Sequence, residues 1–301
     1  MISRLHPQLK LTRTLTGRLA TSGFPVLGLP KHSEEGRRIR GLVKAPKGYS
    51  LYESDYSQIE LRTAAHISGC KAMGDIYRAG GDIHANTALH VFGVPKEQQD
   101  DSKHRLPAKT GNFSMLMGTT EMGLTASIHK AGNLTWSANC PGCKSFKAPH
   151  NPDCDSLNFM ANWFKTYSGV RAFMDDRRAH VLKTGMAFGI WGEQWYLPGA
   201  WSPHDMVREE TLRQSHALPV QSGAQRLIKL AMAAVYRKLP KDGTVEPILQ
   251  IHDSLLFLVA NKFVTKWHRI VKETMEGITE WKVPIVADGK AGGSWLTLEK
   301  I

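Results

Sequence analysis

The sequence contains few cysteines and no long apolar run. Four cysteines among 301 residues are too few for a disulfide-rich secreted scaffold, which favours a reducing compartment such as the cytoplasm of a bacterial or phage-infected cell. A clear apolar run such as residues 255–260 is far too short to cross a bilayer. No apolar signal-peptide core follows Met1 either. We therefore expect no membrane partner.

Acidic residues are missing from the first 33 positions, since the first one is Glu34. A basic leader of this kind also has the composition of an organelle transit peptide, but we assign it to the folded domain because it contains a motif described below. Over the whole chain, 39 Lys and Arg against 27 Asp and Glu give a net charge of +12. Such an excess favours a polyanionic partner, most often nucleic acid, although a merely soluble basic protein has the same composition.

Two acidic residues end segments with a strand-like pattern. Asp55 closes a predicted strand over about 50–55 and precedes a predicted helix over about 58–68, while Asp253 lies at the tip of a predicted hairpin over 249–256. Two carboxylates held by rigid strands can share two divalent cations about 3.5–4 Å apart, an arrangement common in phosphate chemistry. Asp55 alone also fits a solvated turn. The spacing of Ser57 and Glu60 is that of a capping box, which gives Glu60 a structural interpretation as well.

The pattern between the two acids is mainly helical. Helices are predicted over about 72–78, 83–92, 107–117, 158–184, 205–216 and 222–239, with a hairpin over 185–200. After Asp253 we predict a helix over about 261–278 and a final strand that ends near Trp295. Strands therefore bracket a helical insertion, and this order predicts an α+β protein.

Several segments, in a fixed order along the chain, resemble the family-A DNA polymerases, the bacterial DNA polymerase I class. Residues 55–62 resemble motif A of that family, residues 105–118 resemble motif B, and residues 251–253 resemble motif C. Further family segments are matched by residues 14–19, 35–40, 81–84 and 219–223. The resemblance extends from about Leu11 to the carboxyl end.

The resemblance implies a polymerase palm, a small antiparallel sheet with helices, that carries an inserted and mainly helical fingers subdomain. The palm is expected over 1–65 and 206–301, and the fingers over 66–205. The family's thumb and 3′–5′ exonuclease domains are expected to be absent from this chain. A second polypeptide that supplies a thumb or an exonuclease is therefore an expected partner.

The implied function is template-directed DNA synthesis, in which two Mg²⁺ ions assist nucleotidyl transfer from a dNTP to a primer 3′-hydroxyl. The expected partners are primer–template DNA and dNTPs. Asp55 and Asp253, with help from the Tyr56 carbonyl, are the implied Mg²⁺ ligands. Hard oxygen ligands suit Mg²⁺. Lys109 is implied as a third catalytic residue.

The remaining implied nucleotide contacts come from motif B and its neighbours. Arg105, Lys109 and His84 are assigned to the triphosphate, and Phe113 to the sugar of the incoming nucleotide. Lys109 and Phe113 are four residues apart and share one helical face, which an ordinary amphipathic core helix would also show. Phe113 in place of Tyr implies preference for a normal 3′-hydroxyl. Glu60 is implied to exclude the 2′-hydroxyl of ribonucleotides.

Four residues match family positions that touch the primer–template minor groove or the primer end: Arg18, Arg213, Gln221 and His252. Arg and Gln donors suit groove-edge acceptors and phosphates without sequence specificity. Two positions depart from the family pattern. Met117 replaces a common Tyr that helps to position the template, and Ser254 replaces a common Glu after the motif C aspartate.

A separate cluster in the predicted fingers has the residue types of a zinc site. Cys140, Cys143, His150 and Cys154 supply three thiolates and one imidazole, which is enough for closed tetrahedral coordination of one structural Zn²⁺. The spacing is near that of a zinc knuckle but not equal to it. Reduced cysteines in a loop are the alternative.

Three interpretations of function differ in which residues they require. A catalytically weak or inactive DNA-binding remnant of a polymerase is the main alternative to the active enzyme. It has no need of Asp55, Asp253, Lys109 and Glu60 together, and all four are present. A single-subunit RNA polymerase is disfavoured by Glu60 and Phe113.

Overall fold

The chain forms two compact units in a computed structural model that describes residues 5–29, 33–131, 136, 140 and 154–301. One unit comprises Met1–Ile59 and Gln221–Ile301, and we call it the sheet unit. The other comprises Glu60–Val220, and we call it the helical unit. Assignment of the predicted palm and fingers boundaries to these units stays a prediction.

The α+β class predicted from the sequence is confirmed. The strands are β1 Gln8–Lys10, β2 Ala20–Ser22, β3 Tyr49–Tyr56, β4 Met186–Phe188, β5 Gln194–Tyr196, β6 Val245–Ile251, β7 Ser254–Ala260, β8 Ala287–Gly292 and β9 Glu299–Lys300. The α-helices of the described residues are α1 Glu34–Leu42, α2 Ile59–Ser68, α3 Lys71–Arg78, α4 Ile83–Phe92, α5 Leu106–Leu116, α6 Glu121–Lys130, α7 Asp155–Thr166, α8 Ser168–Thr184, α9 Asp205–Tyr236 and α10 Val264–Glu276. Among them, no helix has both the length and the apolar character needed to cross a membrane.

The core of the sheet unit is a five-stranded antiparallel sheet in the order β6-β7-β3-β8-β9. Strand β3 is central, because it pairs with β7 on one side and with β8 on the other. Successive side chains of a strand point to opposite faces of the sheet. Leu51, Glu53 and Asp55 therefore share one face, whereas Tyr52 and Tyr56 share the other.

Helix α10 covers the tyrosine face of β3. The Tyr52 hydroxyl lies 3.1 Å from Nδ1 of His268. The indole of Trp267 makes an edge-to-face contact with Phe257 of β7, with 5.6 Å between the ring centroids. Since Trp267 and Tyr52 are fully buried, aromatic packing holds this face of the sheet in place.

The opposite face combines an apolar cluster with two buried charged side chains, Glu53 and Arg40. The cluster consists of Val26, Leu51, Ile251, Leu256, Leu258 and Trp295. Glu53, which is 7% exposed, accepts a hydrogen bond of 2.9 Å from Nε1 of Trp295. The guanidinium of Arg40 lies over the Trp295 ring at 4.0 Å and donates to the carbonyl of Leu29 at 3.3 Å. Trp295 thereby links Glu53, in the middle of β3, to Arg40 of α1.

We predict that Trp295→Phe lowers the free energy of unfolding by about 1–3 kcal/mol, because the buried Glu53 carboxylate loses its indole donor. Urea unfolding followed by circular dichroism measures the change. Tyr236→Phe is the control, since the Tyr236 side chain is 67% exposed and its substitution is expected to leave the midpoint unchanged. Equal midpoints for Trp295→Phe and the wild type would contradict the structural role given to this hydrogen bond.

The helical unit is built around buried contacts of α4, α5, α7 and α8. Phe159 of α7 packs against Gly111 of α5 so closely that a Cβ at Gly111 would lie 2.3 Å from the ring. Trp163 and Tyr167 are fully buried, and their ring centroids lie 5.1 Å apart. Helix α5 is consequently fixed along one side, while its other side stays exposed.

The structure divides one predicted helix into two and joins two other predicted helices into one. The predicted helix over 158–184 is two helices, α7 and α8, because the backbone of Tyr167 is not helical, with φ −112° and ψ 49°. Conversely, the helices predicted over 205–216 and 222–239 are one helix, α9, with Pro219 in its interior. The residues on either side of Pro219, Leu218 and Val220, are both buried, so burial outweighs the local cost of the proline.

Candidate active site

The two predicted carboxylates are brought together by strand pairing in the sheet unit. Asp55 is the next-to-last residue of β3, and its partner across β7 is Ser254. The backbone N–H of Tyr56 donates to the backbone carbonyl of Asp253 at 3.1 Å. The end of β3 and the turn that carries Asp253 are therefore hydrogen-bonded neighbours, although nearly two hundred residues separate them in the sequence.

Asp253 lies at the tip of the β6–β7 hairpin, as predicted. Ile251 pairs with Ser254, so His252 and Asp253 form a two-residue connection. His252 adopts left-handed backbone geometry with φ 53°, a conformation in which His is more frequent than most residues. The hydroxyl of Ser254 donates to the carbonyl of Ile251 at 3.1 Å. Ser254 thus stabilises the hairpin turn, in which Asp253 is half-buried.

The side chain of Tyr56 is held away from the two acids. Its hydroxyl donates to the carbonyl of Met275 in α10 at 2.8 Å. Burial, reinforced by the charge of Glu276, raises the pKa of Tyr56 far above its usual value. The phenol is therefore a structural group, and a contribution of Tyr56 to cation binding can come only from its backbone.

The chemistry of the carboxylate pair fits Mg²⁺. Among the described residues, no group of three or more His, Cys, Asp or Glu side chains is arranged to hold an ion. Two carboxylates leave most coordination positions to water and phosphate oxygens, which is how Mg²⁺ is usually bound in enzymes that act on phosphates. Both residues are half-buried, and Oδ1 of Asp55 is itself buried.

The sequence interpretation missed a third acidic residue near the pair. Asp288 of β8 is the direct cross-strand partner of Asp55, and its side chain is exposed. Partners directly opposite in an antiparallel pair project to the same face of the sheet, with their Cβ atoms about 4.5–5.5 Å apart. Local sequence offers no signal for this neighbour, because it depends on the register of β8 against β3.

Helix α5 of the helical unit presents a cation and an aromatic ring on its exposed side. Lys109 and Phe113 are both exposed, and Phe113 retains 47% of its surface. Ala108, Asn112 and Met115 are buried on the opposite side. Pro107 lies in the first turn, where proline is tolerated. A π-helical turn, Asp101–Arg105, leads directly into α5, so the charge of Lys109 itself, and not a helix N-terminus, is what this side of α5 offers to an anion.

Arg105 and His84 are connected through Asp82. The Arg105 side chain donates from Nε to Asp82 Oδ2 at 2.8 Å, and Asp82 Oδ1 caps α4 by accepting from the backbone N–H of His84 at 2.9 Å. Burial raises the pKa of Asp82, but its hydrogen bonds with Arg105 and His84 outweigh burial and hold the pKa below its usual value. Asp82 therefore stays ionised and fixes both neighbours.

His84 is a buried, neutral imidazole. Its side chain is 3% exposed, and Nδ1 lies 3.0 Å from Nδ2 of Asn112. Burial lowers the pKa of His84 to about 4; the negative charge of Asp82 opposes this shift, and the cations Arg105 and Lys109 add to it. At neutral pH this residue can offer a hydrogen bond but carries no charge.

The remaining predicted site residues have different environments. Glu60 is half-buried in the first turn of α2. In the sheet unit, Arg18 and Gln221 are half-buried and His252 is exposed. Arg213 of the helical unit donates to Glu210 at 3.1 Å, and this ion pair holds the pKa of Glu210 below its usual value. Their roles toward DNA and the nucleotide stay predictions.

The predicted zinc ligands are only partly covered by the structure. Cys140 and Cys154 are both buried, and they lie together in a cluster with Leu157. Cys143 and His150 lie outside the described residues. The complete ligand set therefore stays a prediction.

Known proteins are similar to this chain over nearly its whole length. A family model described as DNA polymerase family A matches residues 2–297. The chain is 31% identical over 297 residues, 99% of its length, to the thermostable DNA polymerase I of Thermus aquaticus. It is 32% identical over 293 residues to DNA polymerase I of Pseudomonas aeruginosa, covering 97% of the chain. It spans 33% and 30% of these two relatives, about a third of their length.

A solved structure of a DNA polymerase domain has a fold similar to that of this chain. The POL domain of Pol1 from M. smegmatis, in complex with DNA primer-template and dNTP, superimposes with a TM-score of 0.83 at 27% identity. The match covers 97% of this chain and 48% of that one.

Proposed function

Because the chain belongs to DNA polymerase family A, we propose that it is a template-directed DNA polymerase that transfers a nucleotide from a dNTP to a primer 3′-hydroxyl. The observation that carries the proposal is the hydrogen-bonded pairing of the β3 end with the β6–β7 turn, which places Asp55 beside Asp253. Both acids are half-buried, and carboxylate oxygens are the hard ligands that metal-assisted chemistry on phosphates uses.

In this proposal Asp55 and Asp253 hold two Mg²⁺ ions, with the Tyr56 carbonyl as an additional ligand. When bound, the ions lower the pKa of the primer 3′-hydroxyl and neutralise charge on the departing pyrophosphate. The chain itself supplies no covalent nucleophile. Its contribution is to hold the reacting groups in position and to stabilise charge.

The helical unit supplies the nucleotide contacts in this proposal. Lys109, Arg105 and His84 bind the triphosphate: two of them are cations, and the third is a neutral hydrogen-bonding group. Phe113 stacks on the sugar through its exposed ring, and Glu60 excludes the 2′-hydroxyl. The sheet unit corresponds to the palm, and the helical unit corresponds to the fingers.

Primer–template DNA is the proposed macromolecular partner. Arg18, Arg213, Gln221 and His252 contact the minor groove or the primer end. A net charge of +12 supports binding to a polyanion. A second polypeptide that supplies a thumb or an exonuclease is a further proposed partner, and its presence is expected to lengthen the products made in each binding event.

Primer extension with Mg²⁺ tests the proposed function. The wild-type chain is expected to add the dNTP complementary to the template, with no addition in the presence of excess EDTA. Each reaction is repeated with candidate partner proteins. A chain that binds primer–template DNA but adds no nucleotide under any of these conditions is a DNA-binding remnant and not a polymerase.

We predict that Glu60→Ala raises ribonucleotide incorporation relative to deoxyribonucleotide incorporation by about 10- to 100-fold. The reason is that removal of the carboxylate relieves the steric and desolvation penalty on the 2′-hydroxyl, a penalty of about 1.5–3 kcal/mol. Single-nucleotide addition with matched dNTP and rNTP measures the ratio. Glu121→Ala, which removes a half-buried Glu from the first turn of α6, is the matched control. An unchanged ratio in Glu60→Ala would remove Glu60 from sugar selection.

We also propose that one structural Zn²⁺ is held by Cys140, Cys143, His150 and Cys154, supported by the burial of Cys140 and Cys154 in one cluster. Elemental analysis of the purified chain is expected to find about one zinc per molecule. Cys140→Ser should lose most of that zinc, whereas Cys70→Ser, a buried cysteine of α3's N-terminus, should retain it. Equal zinc contents would exclude this site.

A further inference from the structure

Beneath the exposed face of α5 lies a buried cluster of hydrogen-bonding side chains centred on Asn112. The Asn112 amide contacts Nε1 of Trp163 at 2.7 Å, Oγ1 of Thr87 at 2.9 Å and Nδ1 of His84 at 3.0 Å. Asn112, Thr87 and Trp163 are fully buried, and His84 is 3% exposed. A buried polar network of this kind restricts each member to one orientation.

The orientation of the Asn112 amide follows from the chemistry of Trp163. The indole nitrogen is a donor only, so the amide atom 2.7 Å away must be the oxygen Oδ1. The other amide atom, Nδ2, then faces His84. An amide NH₂ group can only donate. This assignment rests on donor and acceptor chemistry alone.

The tautomer of His84 follows in turn. Since Nδ1 accepts a hydrogen bond from Asn112, Nδ1 carries no proton, and the single proton of the neutral ring is on Nε2. The charged groups that act on this ring are Asp82, Arg105 and Lys109, and burial together with the two cations keeps the pKa of His84 near 4 despite Asp82. The neutral ring is therefore the form present at physiological pH.

We propose that Asn112 is a positioning residue that fixes His84 as the neutral Nε2–H tautomer, so that His84 donates a hydrogen bond to the nucleotide triphosphate and does not act as a proton donor in the reaction. The proposal rests on the proposed function for the contact between His84 and the triphosphate. The tautomer itself rests only on the buried contacts within the helical unit. The neutral donor adds directional recognition of a phosphate oxygen, and the charge needed for binding comes from Lys109 and Arg105.

Nitrogen-15 NMR of the histidine rings tests the tautomer without any activity measurement. The full chain is labelled at histidine, and the His84 signals are assigned by their loss in His84→Gln. At pH 7 the wild type is expected to show a proton on Nε2 and none on Nδ1. In Asn112→Asp, a nearly isosteric change, an acceptor replaces the donor, so the ring is expected to carry a proton on Nδ1 and to titrate at a higher pH. A wild-type ring with a proton on Nδ1 at pH 7 would overturn the proposal.

Two further measurements test the contact with the triphosphate. Addition of a dNTP with Mg²⁺ is expected to shift the Nε2 signal of wild-type His84, and an unchanged signal at saturating dNTP would overturn this part of the proposal. In single-nucleotide addition, His84→Leu is expected to raise the KM for dNTP by about 10- to 100-fold, the effect of losing a hydrogen bond to a charged group. His84→Gln, whose amide can donate from a similar position, is expected to restore the KM to within about threefold of wild type.

These outcomes test the positioning role of Asn112 separately from the polymerase activity. A chain that shows the Nε2–H tautomer and a dNTP-dependent shift but extends no primer retains the positioning role of Asn112 and loses the polymerase assignment. A chain that extends primers but shows the other tautomer retains the assignment and loses the positioning role.

Discussion

Asp253→Asn is expected to reduce the rate of Mg²⁺-dependent nucleotide addition by about 10³-fold or more, while the fold is retained. Asn occupies the same volume as Asp but lacks the negative charge that holds a cation. Loss of a metal ion removes several kcal/mol of charge stabilisation, and each 1.36 kcal/mol corresponds to a tenfold change in rate. Single-turnover addition of one matched dNTP to a labelled primer measures the rate.

Asp242→Asn is the matched control for Asp253→Asn. Asp242 precedes β6, while Asp253 follows the other end of that strand, and the Asp242 side chain bonds only to its neighbour Thr244 among the described residues. This variant is expected to add nucleotides at the wild-type rate. If Asp253→Asn also reacted at the wild-type rate, the assignment of Asp253 as a metal ligand would be wrong.

Lys109→Ala is expected to lower kcat/KM for dNTP by about 10- to 100-fold. Lys109 is an exposed cation in the first turn of α5, on the same face as the exposed ring of Phe113. A hydrogen bond between charged groups contributes about 1.5–3 kcal/mol, which corresponds to this range of rates. The measurement is the dNTP dependence of single-nucleotide addition on a saturating primer–template.

Lys165→Ala is the control for the loss of positive charge, because Lys165 is an exposed lysine in the last turn of α7 in the same unit. It is expected to keep kcat/KM close to the wild-type value. An equal loss in both variants would mean that Lys109 acts only through the net charge of the chain, and its role as a specific triphosphate ligand would be abandoned.

The positions of Asp55 and Asp253 at the ends of strands could be predicted from the sequence because each follows a clear local pattern. Asp55 closes the strand-like run that forms β3, and Asp253 lies in the two-residue turn between β6 and β7. Lys109 and Phe113 could be placed on one face because helical spacing determines that geometry. Such features depend on residues close in sequence.

Contacts between residues that are far apart in the sequence could not be predicted from the sequence. Asp288 faces Asp55 only because β8 pairs with β3 in one particular register. Asn112 faces Trp163 and His84 because three helices converge on it, and an Asn inside a helical pattern gives no sign of this. The register of a strand and the packing of helices are decided by the whole chain.

The break between α7 and α8 has a similar cause. Tyr167 lies within a stretch that local pattern favours as helix, but its hydroxyl lies 2.8 Å from Oγ1 of Thr87 in α4. Gly169, two residues later, packs so closely on Cys70 that a Cβ would lie 2.7 Å from the Cys70 Cα. Tertiary contacts therefore set the course of the chain here, and they outweigh a local helix preference of less than about 1 kcal/mol per residue.

Cleavage of the chain by bound Fe²⁺ tests the central claim, that Asp55 and Asp253 hold divalent cations, most directly. Fe²⁺ that replaces Mg²⁺ generates hydroxyl radicals with ascorbate and peroxide, and these cut the backbone next to the ion. We predict cuts near residues 55 and 253, suppressed by excess Mg²⁺ and lost in Asp55→Asn and Asp253→Asn, with Asp242→Asn cut as in the wild type. Cuts elsewhere, or the same cuts in all variants, would contradict the account.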